Sequence, residues 1–352
     1  MLKPVYEDSK EFICKEDIMK VLITGVAGFM GSHLADEFLA RGYEVVGIDN
    51  FIGGYEDNIP QGVEFHYADL GDFDAIKEFF EGVDLVVHTA CTAYEGLSVF
   101  SPALVTRNTS HITTVAVSAS IRAGVKKFVH MASMARYGTQ DTAPFTEDMT
   151  PKPQDPYGIA KYASELLIKN LCETHGMDYV ILVPHNIIGP RQKFDDPYRN
   201  VASIMINRML QGKQPIIYGD GSQMRCFSFM QDVINPLMIA CETNVVDGQI
   251  VNVGPDEEFI TIKELAEKIS DILGFELDPI YMPGRPQEVK HANCSANKAR
   301  KLLGYSTSTT LEEGLTELAE WIKIKGARPF NYHLPLEFIT EKTPKTWSER
   351  LM

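Results

Sequence analysis

A tyrosine and a lysine lie four positions apart in "DPYGIAKYASELL", residues 155–167, and such a pair could carry out proton transfer. If this segment is helical, Tyr157 and Lys161 share one face, since residues four apart are neighbours on a helix surface. A free tyrosine, with a pKa of about 10, is a poor base near neutrality. A lysine ammonium about 4 Å away is worth up to about 4 kcal/mol and could lower that pKa by up to roughly three units. The same spacing also occurs for structural reasons alone, so its meaning depends on whether the rest of the chain builds a site around it.

Three glycines follow a predicted strand and open a predicted helix in "TGVAGFMGSHLADEFLARG". In that context a glycine triplet indicates a dinucleotide-binding loop. Gly25 would form the tight turn, Gly28 would let the backbone approach a pyrophosphate, and Gly31 would let the helix pack closely on the strand. The N-terminus of the helix would offer unpaired N–H groups to the phosphates. The sequence therefore predicts a bound dinucleotide.

Two aspartates end predicted strands beyond the glycine loop. Asp49 ends "EVVGID", where its carboxylate would accept hydrogen bonds from an adenosine ribose and repel a 2′-phosphate. No arginine follows at once in "DNFIGG", so the sequence favours NAD over NADP. Asp69 ends the strand in "VEFHYADL", where it could either reach an adenine edge or cap a turn.

These residues need a framework that brings strand ends together. From "MKVLITG", residues 19–25, short β-branched runs alternate with longer helical patterns. The alternation predicts an α/β fold: a Rossmann-type doubly wound parallel sheet with right-handed crossovers, and a smaller C-terminal α/β domain that binds the substrate. Gly42, Gly124 and Gly176 are expected at the left-handed positions that end helices.

The rhythm of the chain changes after "IIGPRQ", residues 187–192. We therefore expect an N-terminal extension over 1–18, an NAD-binding domain over 19–190, and a mainly substrate-binding domain over 191–330 that could interleave with the first. The tail, 331–352, is punctuated by prolines and is expected to lie along the surface.

Composition excludes several classes of function. The chain has 352 residues, with 48 acidic and 33 basic side chains and a formal net charge of -15, which argues against nucleic acid or an anionic membrane as the main partner. Its six cysteines form no CxxC or Cys/His cluster, so no metal site is expected. The polar N-terminus and the lack of a long apolar run predict neither a signal peptide nor a membrane span, and we expect a cytoplasmic protein.

Several motifs, in this order, resemble the extended short-chain dehydrogenase/reductase family of the NAD-dependent epimerase/dehydratase type, over about residues 19–320. They are "TGVAGFMG", "MASMARYG", Tyr157-x-x-x-Lys161, "PHNIIGPRQ", "YGDGSQMRCFSF" and "PGRPQEV". The resemblance implies NAD as cofactor, a nucleotide-diphosphate sugar as substrate, and a setting such as polysaccharide precursor synthesis. It also implies a homodimer formed through apolar helix faces, although the same faces could simply cover the sheet.

The resemblance assigns roles to individual residues. Ser133 joins Tyr157 and Lys161 as a catalytic trio, and the lysine also anchors the nicotinamide ribose. The implied cofactor-binding residues are Gly25, Gly28, Phe29, Met30, Gly31, Asp49, Asn50, Asp69, Leu70, Thr89, Tyr157 and Lys161. The implied substrate-binding residues are Ser133, Asn186, Arg225 and Arg285. Either arginine could instead be part of a surface ion pair.

The segment after Ser133 narrows the reaction. Members that eliminate water carry an acidic pair there, and nucleotide-hexuronate decarboxylases carry a glutamate, whereas this chain has Met134, Ala135 and Arg136. Ala135 also replaces the cysteine of GDP-mannose 3,5-epimerases. The resemblance therefore implies 4-epimerisation of a nucleotide sugar through a transient 4-keto sugar. A reductase or dehydrogenase with the same trio is the nearest alternative, and a non-catalytic dinucleotide-binding protein is a remote one.

Four further positions have open roles. Arg191 in "GPRQ" is a candidate for the wall of the sugar pocket, and His185 could lie near the nicotinamide or be a satisfied buried histidine, which we favour. Nothing near Cys91 would activate it as a nucleophile. By the family pattern, Ala292 falls where 4-epimerases limit the room near C2 of the sugar, so an N-acetyl group would fit.

Overall fold

The computed structural model of the chain describes residues 20–286 and 293–352. The predicted extension, 1–18, and Ala292 lie outside these described residues. The strands run in chain order as β1 (Lys20–Thr24), β2 (Glu44–Asp49), β3 (Glu64–Tyr67), β4 (Leu85–His88), β5 (Lys127–Met131), β6 (Asp178–Pro184), β7 (Ile187–Ile188), β8 (Ile216–Tyr218), β9 (Met224–Arg225), β10 (Ser228–Phe229), β11 (Gln249–Val253), β12 (Ile260–Thr261) and β13 (Ile280–Met282).

The helices are α1 (Phe29–Ala40), α2 (Phe73–Ile76), α3 (Glu95–Ser98), α4 (Pro102–Thr106), α5 (Ile112–Ala123), α6 (Pro156–His175), α7 (Val201–Leu210), α8 (Met230–Glu242), α9 (Ile262–Leu273), α10 (Asn297–Leu303), α11 (Leu311–Lys325) and α12 (Lys345–Ser348). Gly124 and Gly176 adopt φ values of 73° and 72° just after α5 and α6, and Gly42 has a φ of 86° near the end of α1. Positive φ is the conformation expected where a helix ends on glycine.

Seven strands form one parallel sheet in the order β11-β6-β5-β4-β1-β2-β3. Successive residues of β1 belong to different apolar clusters: Val21 and Ile23 enter one, and Leu22 enters the other. Successive strand side chains point to opposite faces, so helices must cover both sides of this sheet. The predicted doubly wound α/β fold is confirmed.

Residues beyond 190 contribute both to the main sheet with its covering helices and to a separate cluster of helices. The seventh sheet strand, β11, comes from residues 249–253, beyond the predicted boundary at 190, and α8 and α10 supply residues to the same cluster as α1. A separate apolar cluster holds α7, α9 and α11 together. Residues beyond 190 therefore add a strand and two helices to the layers that residues 20–190 begin, and loops of both parts reach the carboxyl edge of the sheet.

The tail, 331–352, is anchored to the surface that it follows. Trp347 is buried and donates a hydrogen bond from its indole Nε1 to the carbonyl oxygen of Pro197, at 3.1 Å. Leu334 is buried in the same cluster, beside Tyr94 and Phe100. Within residues 20–286 and 293–352, no helix has the length and apolar character needed to cross a membrane.

Candidate active site

The first turn of α6 fixes the position of the tyrosine and the lysine. The carboxylate of Asp155 accepts a hydrogen bond from the backbone N–H of Gly158 at 2.9 Å, and Pro156 occupies the first helical position. Both features stabilise a helix N-terminus. Tyr157 and Lys161 then lie one turn apart, and both are buried.

Ser133 meets this pair from the end of β5. Its hydroxyl accepts the backbone N–H of Ala135 at 3.2 Å, which orders the short turn over Met134–Arg136, and it hydrogen-bonds to the phenol of Tyr157. Lys161 donates from Nζ to the carbonyl oxygen of Met131 at 2.6 Å. The three residues that the sequence selected are therefore brought together at the carboxyl edge of the sheet.

The expectation that Lys161 lowers the pKa of Tyr157 is wrong for this structure. Burial raises the pKa of Tyr157 well above its usual range, and the hydrogen bond from Ser133 and the charge of Arg199 oppose that rise only in part. The Lys161 ammonium lies 6.0 Å from the centre of the Tyr157 ring and is hydrogen-bonded to a backbone carbonyl. Desolvation disfavours the phenolate, and this effect dominates here.

A first cavity runs from the glycine loop to the tyrosine. Ten of the twelve residues implied for the cofactor line it, and Gly28 and Gly31 do not. A Cβ on Gly31 would stand 2.2 Å from the carbonyl oxygen of Gly25, and Gly25 itself has a φ of +75°. Neither position tolerates a side chain, so the loop and α1 approach each other as the fingerprint predicts.

Asp49 is held rigidly at the end of β2. Its two carboxylate oxygens accept the backbone N–H groups of Ala27 and Phe51, at 2.9 and 2.7 Å. Burial raises the pKa of Asp49, while these backbone donors act to lower it. The carboxylate reaches the first cavity with lone pairs to spare, which suits the hydroxyls of a ribose.

Asp69 serves two roles at the end of β3. It caps a turn, accepting the backbone N–H of Gly71 at 2.8 Å, and it also lines the first cavity. Its second oxygen pairs with Arg107 at 2.8 Å, and this hydrogen bond, together with the cap, leaves the pKa of Asp69 lowered even though burial acts to raise it. Nothing in the sequence near Asp69 indicated that arginine, which lies between α4 and α5.

A second cavity opens from the first and holds the residues implied for the substrate. Ser133, Asn186, Arg225 and Arg285 all line it. The amide nitrogen of Asn186 is buried and has no hydrogen-bond partner among the described residues, so a ligand could accept from it. The guanidinium of Arg285 lies 4.7 Å from the centre of the Tyr218 ring, and Arg225 belongs to β9.

The expectations for Arg191 and His185 have different outcomes. Arg191 does not line either cavity within the described chain; it pairs with Asp36 at 2.6 Å and donates to the carbonyl oxygen of Ser32, so it fastens the loop to α1. The interpretation of Arg191 as a sugar-pocket residue is therefore wrong. His185 is buried, and its Nε2 shares a 2.7 Å hydrogen bond with the carbonyl oxygen of Pro255, but its Nδ1 is buried without a hydrogen-bond partner among the described residues, so the expected satisfied histidine is found only in part; it also borders the second cavity.

Sequence reasoning missed two charged residues of the second cavity. Glu95, at the start of α3, and Arg199, just before α7, both line it, and both influence the pKa of Tyr157. Neither belongs to a recognisable motif. Arg136, in the segment that lacks carboxylates, turns away and forms a buried ion pair with Glu165 at 2.9 Å.

A model of the NAD dependent epimerase/dehydratase family matches residues 21–254, more than half of the chain. The chain is 32% identical over 319 residues to the UDP-glucose 4-epimerase of Mycolicibacterium smegmatis, a match that covers 87% of this chain and 99% of that protein. It is 30% identical over 320 residues to the UDP-N-acetyl-alpha-D-glucosaminuronate decarboxylase of Bacillus cytotoxicus, covering 86% and 98%.

A solved structure supports the same grouping. The UDP-glucose 4-epimerase of Thermus thermophilus, in complex with NAD, superposes with a TM-score of 0.81 at 29% identity, covering 87% of this chain and 99% of that one. Similar chains thus include both epimerases and a decarboxylase.

Proposed function

We propose a function from one premise: this chain belongs to the NAD-dependent epimerase/dehydratase family. It is an NAD-dependent nucleotide-sugar 4-epimerase, which oxidises C4 of the sugar and then reduces the 4-keto sugar from its opposite face. The observation that carries this proposal is the position of Ser133 and Tyr157, which line both cavities at the point where they join. A group bound in one cavity would meet a group bound in the other beside the phenol.

The first cavity fits NAD. The close approach of Gly31 to Gly25 leaves the loop backbone bare at the start of α1, where N–H groups can bind a pyrophosphate. Asp49 supplies buried lone pairs for the adenosine ribose, and its charge opposes a 2′-phosphate. Lys161 would hold the nicotinamide ribose. When bound, NAD accepts a hydride from the sugar and returns it.

Proton transfer falls to the trio. Tyr157 takes the proton of the C4 hydroxyl as the hydride leaves C4, and it gives the proton back when the ketone is reduced. Ser133 donates a hydrogen bond to the same oxygen and keeps it within reach of the phenol. Burial disfavours the phenolate, and the charge of Arg199 offsets this effect in part.

The second cavity must hold the nucleotide while the sugar turns. Arg225 and Arg285 line this cavity but not the first, so they can bind the diphosphate at a distance from the phenol. Planar guanidinium groups bind phosphate oxygens in pairs. With the diphosphate held there and Asn186 offering its amide, the 4-keto sugar can rotate and present its other face to the hydride donor.

The nearest alternative is a reductase or dehydrogenase, and a dehydratase of the same family is another. A dehydratase needs an acid/base pair, and neither Met134 nor Ala135 supplies a carboxylate. A non-catalytic dinucleotide-binding protein would not need both Tyr157 and Lys161. These alternatives differ from epimerisation in mass balance and in the demand for external cofactor.

We also propose a homodimer assembled through α6. A role in polysaccharide precursor synthesis is a separate proposal, which the family resemblance implies. Ile159 and Leu166 lie on this helix with 54% and 51% of their surface exposed, although both are large and apolar. A pair of such residues, two turns apart on one helix, is a suitable contact for the same helix of a second copy.

The test is incubation with UDP-glucose, UDP-N-acetylglucosamine, UDP-glucuronate, TDP-glucose, CDP-glucose and GDP-mannose in deuterated water without added cofactor. Proton NMR and mass spectrometry then follow the products. An inverted C4 with unchanged mass and no deuterium in the ring is expected. Loss of water or carbon dioxide would assign the chain to a lyase, and a requirement for added NAD(P)H would assign it to a reductase.

A further inference from the structure

A third arginine lies where the two cavities meet. Arg199 lines both of them, as Ser133 and Tyr157 do, whereas Arg225 and Arg285 line only the second. Its positive charge acts to lower the pKa of Tyr157, which places the guanidinium within electrostatic range of the phenol. The cation is therefore beside the reacting end of the site, away from the arginines assigned to the diphosphate.

The guanidinium of Arg199 has no hydrogen bond or ion pair with any residue in 20–286 or 293–352. It lies over the ring of Tyr94, whose centre is 5.6 Å away. The nearby carboxylate of Asp196 is already engaged, because it accepts the hydroxyl of Tyr94 at 2.5 Å and the backbone N–H of Tyr198 at 2.8 Å. Arg328 is also half-buried and, in the described part of the chain, its guanidinium contacts only the rings of Tyr55 and Phe194, but it is not among the residues that line the two cavities. A half-buried arginine without acceptors, in the wall of a cleft, is suited to an anionic ligand.

We propose that Arg199 binds a carboxylate carried by the reacting sugar, so that the substrate is a nucleotide hexuronate; this inference rests on the proposed function. A neutral hexose offers only hydroxyl groups and leaves the charge unmatched. In a hexuronate the carboxylate is attached to C5, next to the carbon that Tyr157 serves, and its two oxygens match the guanidinium fork.

A nucleotide hexuronate could leave the site either as its C4 epimer or after losing carbon dioxide. Oxidation at C4 makes a β-keto acid, from which carbon dioxide can leave: the C5–C6 electron pair moves to form a C4–C5 enolate, and C5 later takes a proton. Loss of carbon dioxide requires the carboxylate to give up its negative charge, so a guanidinium bound to it opposes this step. We therefore expect the sugar to keep its carboxylate and to be released as the C4 epimer.

The experiment compares UDP-glucuronate with UDP-glucose as substrates of the NAD-loaded protein. In the wild type, kcat/KM is expected to be higher for UDP-glucuronate. The R199Q variant keeps the approximate size of the side chain but removes the charge, and it should lose roughly 10- to 100-fold in kcat/KM with UDP-glucuronate, as expected for a lost charge-assisted hydrogen bond. With UDP-glucose the loss should be clearly smaller, because only the effect of the Arg199 charge on Tyr157 is removed, and R199K should be intermediate with the uronate.

A matched control is R122Q, because Arg122 lies on α5, is paired with Glu78 and Glu81, and lines neither cavity. It should leave both rates unchanged. An equal loss with the two substrates in R199Q would show that Arg199 acts on the shared diphosphate or on Tyr157, and not on a carboxylate of the sugar. No loss with either would show that it only packs against Tyr94. Either result overturns the proposal.

A binding measurement tests the carboxylate site at Arg199 independently of the proposed 4-epimerase activity. If no sugar is epimerised, calorimetric titration of the same proteins with UDP-glucuronate, UDP-glucose and UDP still reports the role of Arg199. Tighter binding of UDP-glucuronate by the wild type, lost in R199Q while UDP affinity is kept, supports the carboxylate site even if the reaction is another. Equal affinities for the two sugars in the wild type would overturn it.

Discussion

Lys161, on α6, donates a hydrogen bond of 2.6 Å from its ammonium to the carbonyl oxygen of Met131, the last residue of β5. The side chain is buried, so this contact ties the first turns of the helix to β5, which lies beside the central strand of the sheet. An ammonium has three donors, and one of them is used here. The remaining donors can serve a ribose hydroxyl in the first cavity, which Lys161 also lines.

Replacing Lys161 by methionine keeps the length of the side chain and removes those donors. We expect kcat to fall by roughly 100-fold or more, since positioning and charge at a proton-transfer site are both lost. We also expect weaker retention of NAD, measured by its release from the purified protein. Lys127→Met is a useful contrast: Lys127 is also buried in β5, but it hydrogen-bonds to the carbonyl oxygen of Thr243. That variant should lower Tm while the folded fraction keeps its turnover.

Tyr157→Phe removes the hydroxyl that the proposed mechanism uses as the base and leaves the buried ring in place. Turnover should fall by roughly 10²- to 10⁴-fold, the usual contribution of a positioned acid/base group. NAD should remain bound, as judged by its absorbance in the purified protein. Tyr281→Phe, at an exposed tyrosine on β13, is the control and should have no effect. Unchanged activity of the Tyr157 variant would exclude the proposed mechanism.

Gly31→Ala tests the fit between α1 and the glycine loop. The added Cβ would stand 2.2 Å from the carbonyl oxygen of Gly25, a backbone atom that cannot move alone, so the loop must shift and NAD binding should be lost. Gly176→Ala has no atom within 4 Å of its Cβ, but its φ of +72° makes it strained. It should cost about 1 kcal/mol of stability and leave NAD affinity unchanged. If both variants bind NAD normally, the loop is not the cofactor site.

The sequence predicted those features that depend on residues close together in the chain or on the order of strands and helices along it. Tyr157 and Lys161 share one helix turn, Asp49 and Gly31 belong to one βαβ unit, and the alternation of elements determined the sheet. Arg199 could not be predicted, because its place beside Tyr157 arises from long-range packing of the segment before α7 against Tyr94. The spacing of the tyrosine and lysine gave no measure of burial either, and burial reversed the expected direction of the pKa shift of Tyr157.

The buried pair of Arg136 and Glu165 supports the turn that carries Ser133, and Glu165→Gln tests its contribution to stability. The two side chains are almost fully buried, with 2.9 Å between Nε and the carboxylate. The substitution leaves the arginine charge buried without its counter-charge, which typically costs about 3–5 kcal/mol. We expect a clear fall in Tm by calorimetry. Glu173→Gln, at an exposed position on the same helix, should change Tm little, and equal effects of the two would argue against the pair.

Under the proposed mechanism Tyr157 must be ionised to accept the sugar proton, and this requirement sets the pH dependence of the reaction. Burial raises the pKa of Tyr157, so the acidic limb of the profile should extend to higher pH than for a free tyrosine. On that limb kcat/KM for epimerisation should fall by about tenfold per pH unit, because one group must lose its proton. The hydrogen bond from Ser133 acts to lower that pKa. Ser133→Ala removes it, so the acidic limb of the profile should move to higher pH, in addition to any loss of rate at the plateau. The residual activity of Tyr157→Phe should show no such limb. A limb that stays in place in Ser133→Ala, or moves to lower pH, would mean that another group controls the ionisation that limits the reaction.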